Sequence, residues 1–288
     1  MIQGNRKAVS LASLVILITG CFCSLAQGQT VEGAMDQSFH SMYNLQFDDA
    51  MKSAEAAKLI DKSDPLPWVA QSCAVLFREF ERLHILRSEM FATDESFAAR
   101  AAQKWDAATR KQFEDATSGA EKIAQERLNH DKNDIKGLFA LTLVNGLRAD
   151  DAALIVKKNL AAIAYTKAAT GYADRLLQLA PTYYDAYVAT GMGKYIVGGK
   201  PAPVRWLLRL DGLKGDQEQG VKELRTAAER GRYLAPFARI LLAFDDLRHK
   251  NRGEARKKLA WLHDQFPNNP LFPLEMAKIQ AGSAAGGQ

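Results

Sequence analysis

An all-α fold, an α-solenoid of about five antiparallel helix pairs, is what this 288-residue sequence predicts. Three observations carry that prediction. Apolar residues make up 47% of the chain, enough for a sizeable core, while 20 glycines and 9 prolines are a modest share. β-Branched runs are scarce after residue 30. Apolar positions recur at helical spacing, and the helical runs are cut by clusters of Pro, Asn, Asp and Gly.

Residues 1–26 read as an export leader. Arg6 and Lys7 form a positive start, and residues 8–20 form an apolar run too short to span a bilayer comfortably. Two cleavage sites compete. Ser24 and Ala26 flank Leu25 with the small residues that a general signal peptidase prefers, which gives a mature chain from Gln27. Ile18, Thr19, Gly20 and Cys21 instead resemble a bacterial lipobox, with a leader of residues 1–20 and Cys21 lipidated. An uncleaved anchor is the third alternative. On either cleavage the rest of the chain is exported, to the periplasm or outer membrane, soluble or lipid-anchored.

Removing Arg6 and Lys7 lowers the net charge from +5 to +3, too little to imply a nucleic acid partner. Residues 27–64 hold seven acids and three bases, net −4, while residues 200–258 hold fifteen bases and eight acids, net +7. This polarity reads as solvated helix faces or as attraction of an anionic partner or membrane surface to the basic end. Cys73 is the one cysteine beyond the leader. It cannot make an internal disulfide, and its neighbours Val69, Val75, Leu76 and Phe77 mark it as a small core residue.

Taken in order, residues 45–64 open with Phe47, Asp48, Asp49 and Ala50 as a turn entering a helix. Ala50, Ala54 and Ala57 form a small stripe there that lets helices approach closely. Long helices are expected over 67–91 and 104–130, joined by a loop in which Thr93 or Asp94 is the N-cap. Further helices are expected over 135–148, 153–179 and 182–197. Gly198, Gly199, Lys200, Pro201, Ala202 and Pro203 then break the pattern. A short amphipathic helix over 204–210 follows, then helices over 216–230, 234–249, 253–266 and 270–280. The tail 282–288 is small and polar and is expected to fray.

The last two long helices show a repeat. Phe237, Ile240, Leu241 and Phe244 line one helix, and Ala255, Leu259, Leu262 and Phe266 line the next. Pro267 ends the unit. Residues 236–269 resemble a tetratricopeptide repeat (TPR), a helix-turn-helix unit of about 34 residues. The family's small residue, second-helix alanine and closing proline fall on Ala243, Ala255 and Pro267; its first-helix aromatic is Arg239 here, a departure. Similar unit ends occur at Lys62, Lys132 and Pro181, and Tyr187 and Gly191 sit four apart like the bulky and small residues of the family's first helix. The spacing of these marks is irregular, and residues 67–131 read either as a true pair or as an insertion. The resemblance implies a TPR-like superhelix over residues 27–281, with a groove lined by the first helices that binds a peptide or protein.

No catalytic constellation stands out. The sequence lacks a His-Glu-x-x-His motif, a Gly-x-Ser-x-Gly elbow and, beyond the leader, a Cys-x-x-Cys pair. His84 and Glu81 belong to a charged surface run. Asp211 and Asp216 bracket too few ligands for a calcium loop, and Asp216 reads better as a helix N-cap. No catalytic residue, metal or cofactor is therefore expected. The candidate binding residues are Tyr184, Lys194 and Tyr195 after Pro181, and Arg205, Trp206 and Arg209 on the short helix. Tyr, Trp and Arg dominate interface energetics. Tyr187 and Trp206 read first as core residues, so the charged Lys194, Arg205 and Arg209 are the sharper candidates. The expected function is a non-enzymatic scaffold or adaptor of the cell envelope, with a protein or peptide partner. The alternative is a small-molecule-binding subunit of an envelope transport system, which needs an enclosed apolar pocket.

Overall fold

The computed structural model describes residues 30–90, 99–210 and 212–285. The leader, Cys21, Thr93, Asp94 and residues 286–288 lie outside these. Twelve α-helices and no strand are found among the described residues. They form five consecutive pairs and a closing helix. α1 (Val31–Tyr43) pairs with α2 (Phe47–Ile60), α3 (Leu66–Arg82) with α4 (Ala107–His130), and α5 (Ile135–Asp150) with α6 (Asn159–Leu179). α7 (Tyr187–Gly198) is followed by the short α8 (Ala202–Leu210) and then by its partner α9 (Gln217–Arg230). α10 (Ala235–Arg248) pairs with α11 (Arg252–Gln265), and α12 (Leu271–Ala285) closes the array. Each long helix packs chiefly on the one before and the one after it in sequence, the mark of a solenoid.

Local chemistry sets the helix starts. Thr30, Asp106, Asp134 and Asp216 each accept a hydrogen bond from a backbone N–H in the first turn that follows, at 2.6–3.0 Å. Asp216 is thus the N-cap the sequence predicts. The second helix of the second pair is capped by Asp106, so it starts three residues later than expected. Other boundaries differ as well. α3, expected over 67–91, ends at Arg82, and α7, expected from 182, starts at Tyr187 after a short 3-10 turn. α5 ends in a π-helical turn, Asp151–Ile155, which delays α6 to Asn159. α12 runs on to Ala285, so its helix continues into the stretch expected to fray.

The irregular spacing of the unit ends now has a cause. Residues 67–131 are a true pair, α3 and α4 packed on each other, with a long connection at 83–106. The fourth pair carries a second long connection, 199–216, which contains α8. One unit end, at 231–234, has no counterpart among the marks read from the sequence.

Small residues let paired helices touch. Ala50, Ala54 and Ala57 of α2 are fully buried, as the alanine stripe predicts. Ala243 and Ala255 are likewise fully buried between α10 and α11. In the fourth pair the contact is backbone to backbone: a Cβ on Gly191 would lie 2.9 Å from the Gly220 carbonyl oxygen. Cys73 is buried, and burial pushes its thiol up to about 12, consistent with an inert core position.

The array does not stay open. α1 meets the loops between the last pairs. Phe39 stacks on Tyr233 at 5.0 Å, and Phe266 packs against His40 and Tyr43 at 5.3 and 5.2 Å. The Tyr43 hydroxyl donates to the Tyr233 carbonyl at 2.9 Å, and Asn269 donates to the Tyr43 carbonyl at 2.8 Å. Phe77 of α3 meets Phe237 of α10 at 5.9 Å. Lys278 of α12 bridges to Glu89 at 2.6 Å in the 83–106 connection. Contacts from α1 and α3 to α10 and to the last loops therefore close the array across the groove expected along the first helices.

Candidate functional site

In a solenoid, every loop between consecutive pairs falls at the same end. Here the loops at 61–65, 180–186 and 231–234 converge with the starts of α1 and α5 around a cavity of about 270 Å³. Its polar lining comes from Glu32, Asp64, Lys136, Tyr184, Arg230 and Arg232, over a floor formed by Asp185 and Tyr233.

Asp185 builds the floor. Its carboxylate is buried and accepts the backbone N–H groups of Arg232, Tyr233 and Leu234 at 3.2, 3.1 and 2.9 Å, just before α10 begins. A carboxylate there satisfies donors at a helix start and complements the helix dipole. Burial raises its pKa, and the three N–H bonds oppose that rise. Tyr183 packs its ring on Phe139 at 4.8 Å, and burial pushes its hydroxyl up as well.

The charges at the rim are mostly spoken for. Lys136 bridges to Asp64 at 2.5 Å. Arg232 holds Asp36 through two bonds, 3.0 and 2.8 Å, and that carboxylate raises the guanidinium's pKa further. Arg230 is different. It is exposed, its guanidinium lies 4.3 Å from the Tyr184 ring centroid, and no carboxylate pairs with it among the described residues. An arginine spread on a tyrosine face keeps its N–H donors pointed outward and available to an anion.

The six residues singled out from the sequence do not form one site. Tyr184 lines the cavity. Lys194 is half-buried and bridges to Glu223 at 2.5 Å, bracing α7 on α9. The Tyr195 hydroxyl donates to Asp245 at 2.8 Å, bracing α7 on α10. Both face neighbouring helices because α7 is sandwiched between pairs, so they act as internal cross-braces. Arg205, Trp206 and Arg209 lie on α8, exposed and away from the cavity lining. Trp206 is 64% exposed and is not core, whereas Tyr187 is half-buried and donates to the Pro181 carbonyl at 3.2 Å.

Sequence reading missed Asp185, Lys136, Arg230 and Arg232. A signal existed: each lies within a few residues of a unit end, and unit ends gather at one edge. The unmarked end at 231–234 hid two of them. Among the described residues no group of three His, Cys, Asp or Glu is placed to hold a metal ion. No helix among them is long and apolar enough to cross a membrane.

No family model and no curated protein matches the chain. Among solved structures, the chain is similar to a thermophilic TPR protein of Thermus thermophilus. The likeness covers 87% of this chain and 99% of that one, at 12% identity and a TM-score of 0.45.

Proposed function

We propose that this chain is a non-enzymatic binding protein of the bacterial cell envelope that holds a peptide or protein by an acidic group in the loop-end cavity. The observation that carries this is Arg230 lying on Tyr184 without a carboxylate of its own among the described residues. A cation on an aromatic face at a cavity mouth suits a terminal carboxylate or an acidic side chain. Size argues the same way. A cavity of about 270 Å³ sits at the small end of the range usual for enclosing a whole small molecule, roughly 300–1,000 Å³. It has room for the end of a chain whose remainder lies outside. The partner is thus read at the loop edge and not along the inner groove, across which α1 and α3 meet the last pairs.

Export and envelope placement rest on the leader, and Cys21 acylation would tether the protein to a membrane. Intact mass of the host-processed protein decides between a start at Gln27 and an acylated start at Cys21.

The binding test uses fluorescent peptides with acidic C-termini, each made with a free and an amidated end. The expected result is saturable binding of the free-acid form, weakened about tenfold or more by Arg230→Ala, the usual scale for a charged hydrogen bond. No binding by any such peptide, together with a retained metabolite in native mass spectrometry, would turn the assignment to the transport-subunit alternative.

A further inference from the structure

We propose that α8 is a membrane-contact helix that lies on an anionic lipid surface, independently of any acyl anchor and of the loop-end cavity. The helix occupies the long connection of the fourth pair and packs chiefly against α7. Its hold on the body is narrow. Leu213 is buried behind it, the Leu213 N–H donates to the Leu208 carbonyl at 2.9 Å, and the Asp216 N–H donates to the Lys194 carbonyl at 3.1 Å. Gly198, Gly199 and Pro201 precede it, and Gly212, with φ +89°, follows. The helix is therefore held at its base and offered outward.

What it offers is chemically specific. Trp206 is 64% exposed and Val204 is 43% exposed. A tryptophan left this open is costly in water and at home at a headgroup boundary. Arg205 and Arg209, four residues apart and both exposed, share the helix face between those two apolar side chains. Lys200 and Lys214 flank it, so residues 200–215 carry four bases against the single acid Asp211. On the neighbouring α6, the Lys167 side chain lies 4.0 Å from where a Cβ on Gly212 would sit, which brings another base beside the turn that follows the helix. An exposed tryptophan beside arginine and lysine, on a helix too short to span, suits a helix lying on an anionic interface. The charge matches a surface of anionic headgroups. Protein partners of the same patch would need matching acidic contacts and would leave lipid unbound, which the test separates.

The experiment is vesicle co-sedimentation of the host-processed full-length gene product carrying Cys21→Ser, which removes acylation. Vesicles are phosphatidylcholine alone or mixed with phosphatidylglycerol. Binding is expected on the mixed vesicles and not on phosphatidylcholine, and it should weaken as salt is raised. The double variant Arg205→Glu/Arg209→Glu should lose about tenfold or more in partitioning. Lipids brominated in the acyl chain should quench part of the tryptophan emission, and Trp206→Phe should abolish that part while vesicle binding persists. Unchanged circular dichroism shows that the variants fold. Absence of vesicle binding, or binding equal in both variants with no quenching assigned to Trp206, overturns the proposal.

Discussion

Asp185 shows how much one buried side chain can organise. It joins the turn before α7 to the turn before α10 by holding three N–H groups, those of Tyr233 and Leu234 in buried bonds. Asp185→Ala leaves those donors unpaired, and a loss of about 2–4 kcal/mol in urea unfolding is expected, with Asp185→Asn losing less. Asp150 behaves in the opposite sense. Its carboxyl, at the junction of α5 with the π-helical turn, has no ion partner among the described residues to offset burial, and burial pushes it up to about 7 from 3.8. The folded state keeps that proton while the unfolded chain releases it, so stability falls as pH rises between those two values. Asp150→Asn removes the slope. Thermal melts should show a gain over wild type on the order of 2 kcal/mol larger at about pH 8 than at about pH 4. Neither residue stood out in the sequence, because an aspartate near a helix end usually reads as an exposed cap. Their roles depend on which distant loop covers them.

Helices were legible where their cause was local. The alanine stripe of α2, the cap at Asp216 and the stop at Pro267 were all readable from a few neighbouring residues. The pairing of Tyr187 with Gly191 was readable too, but what Gly191 touches was not. Gly220 sits opposite, and a Cβ there would lie 2.6 Å from the Gly191 carbonyl oxygen and 2.8 Å from the Tyr195 nitrogen. Both are backbone atoms and cannot rotate away. Gly220→Ala should therefore cost about 1–3 kcal/mol by denaturant titration. Gly146→Ala in α5, where nothing lies within 4 Å of the added carbon, should instead gain roughly 0.5–1 kcal/mol from helix propensity. The π-helical turn and the late start of α4 escaped prediction for a related reason. Both answer to tertiary contacts, such as the Trp105 indole bonding Asp151 at 2.7 Å and the Asp106 N–H bonding Glu79 at 2.9 Å.

At the scale of the molecule, the charge polarity of the sequence finds part of its explanation. The acidic start and the basic end meet, with Asp36 and Arg232 in direct contact. No sequence period announces such a meeting, since it depends on curvature accumulated over five pairs. It makes a mechanical prediction. In an open solenoid the last pair could loosen alone. Here Phe266 is clamped by His40 and Tyr43. Phe266→Ala should cost about 3–5 kcal/mol and should speed hydrogen exchange in α1 as well as in α11 and α12. Unchanged protection of α1 would contradict this coupling. The same clasp bears on how such a chain can change over generations. Open repeat arrays lengthen by tandem duplication, because a new unit only has to stack on the old end. Once the last unit grips the first, an extra unit would prise the two apart and forfeit their shared core. Growth is then confined to the turns inside a pair, and the two long inserts, at 83–106 and 199–216, are both of that kind.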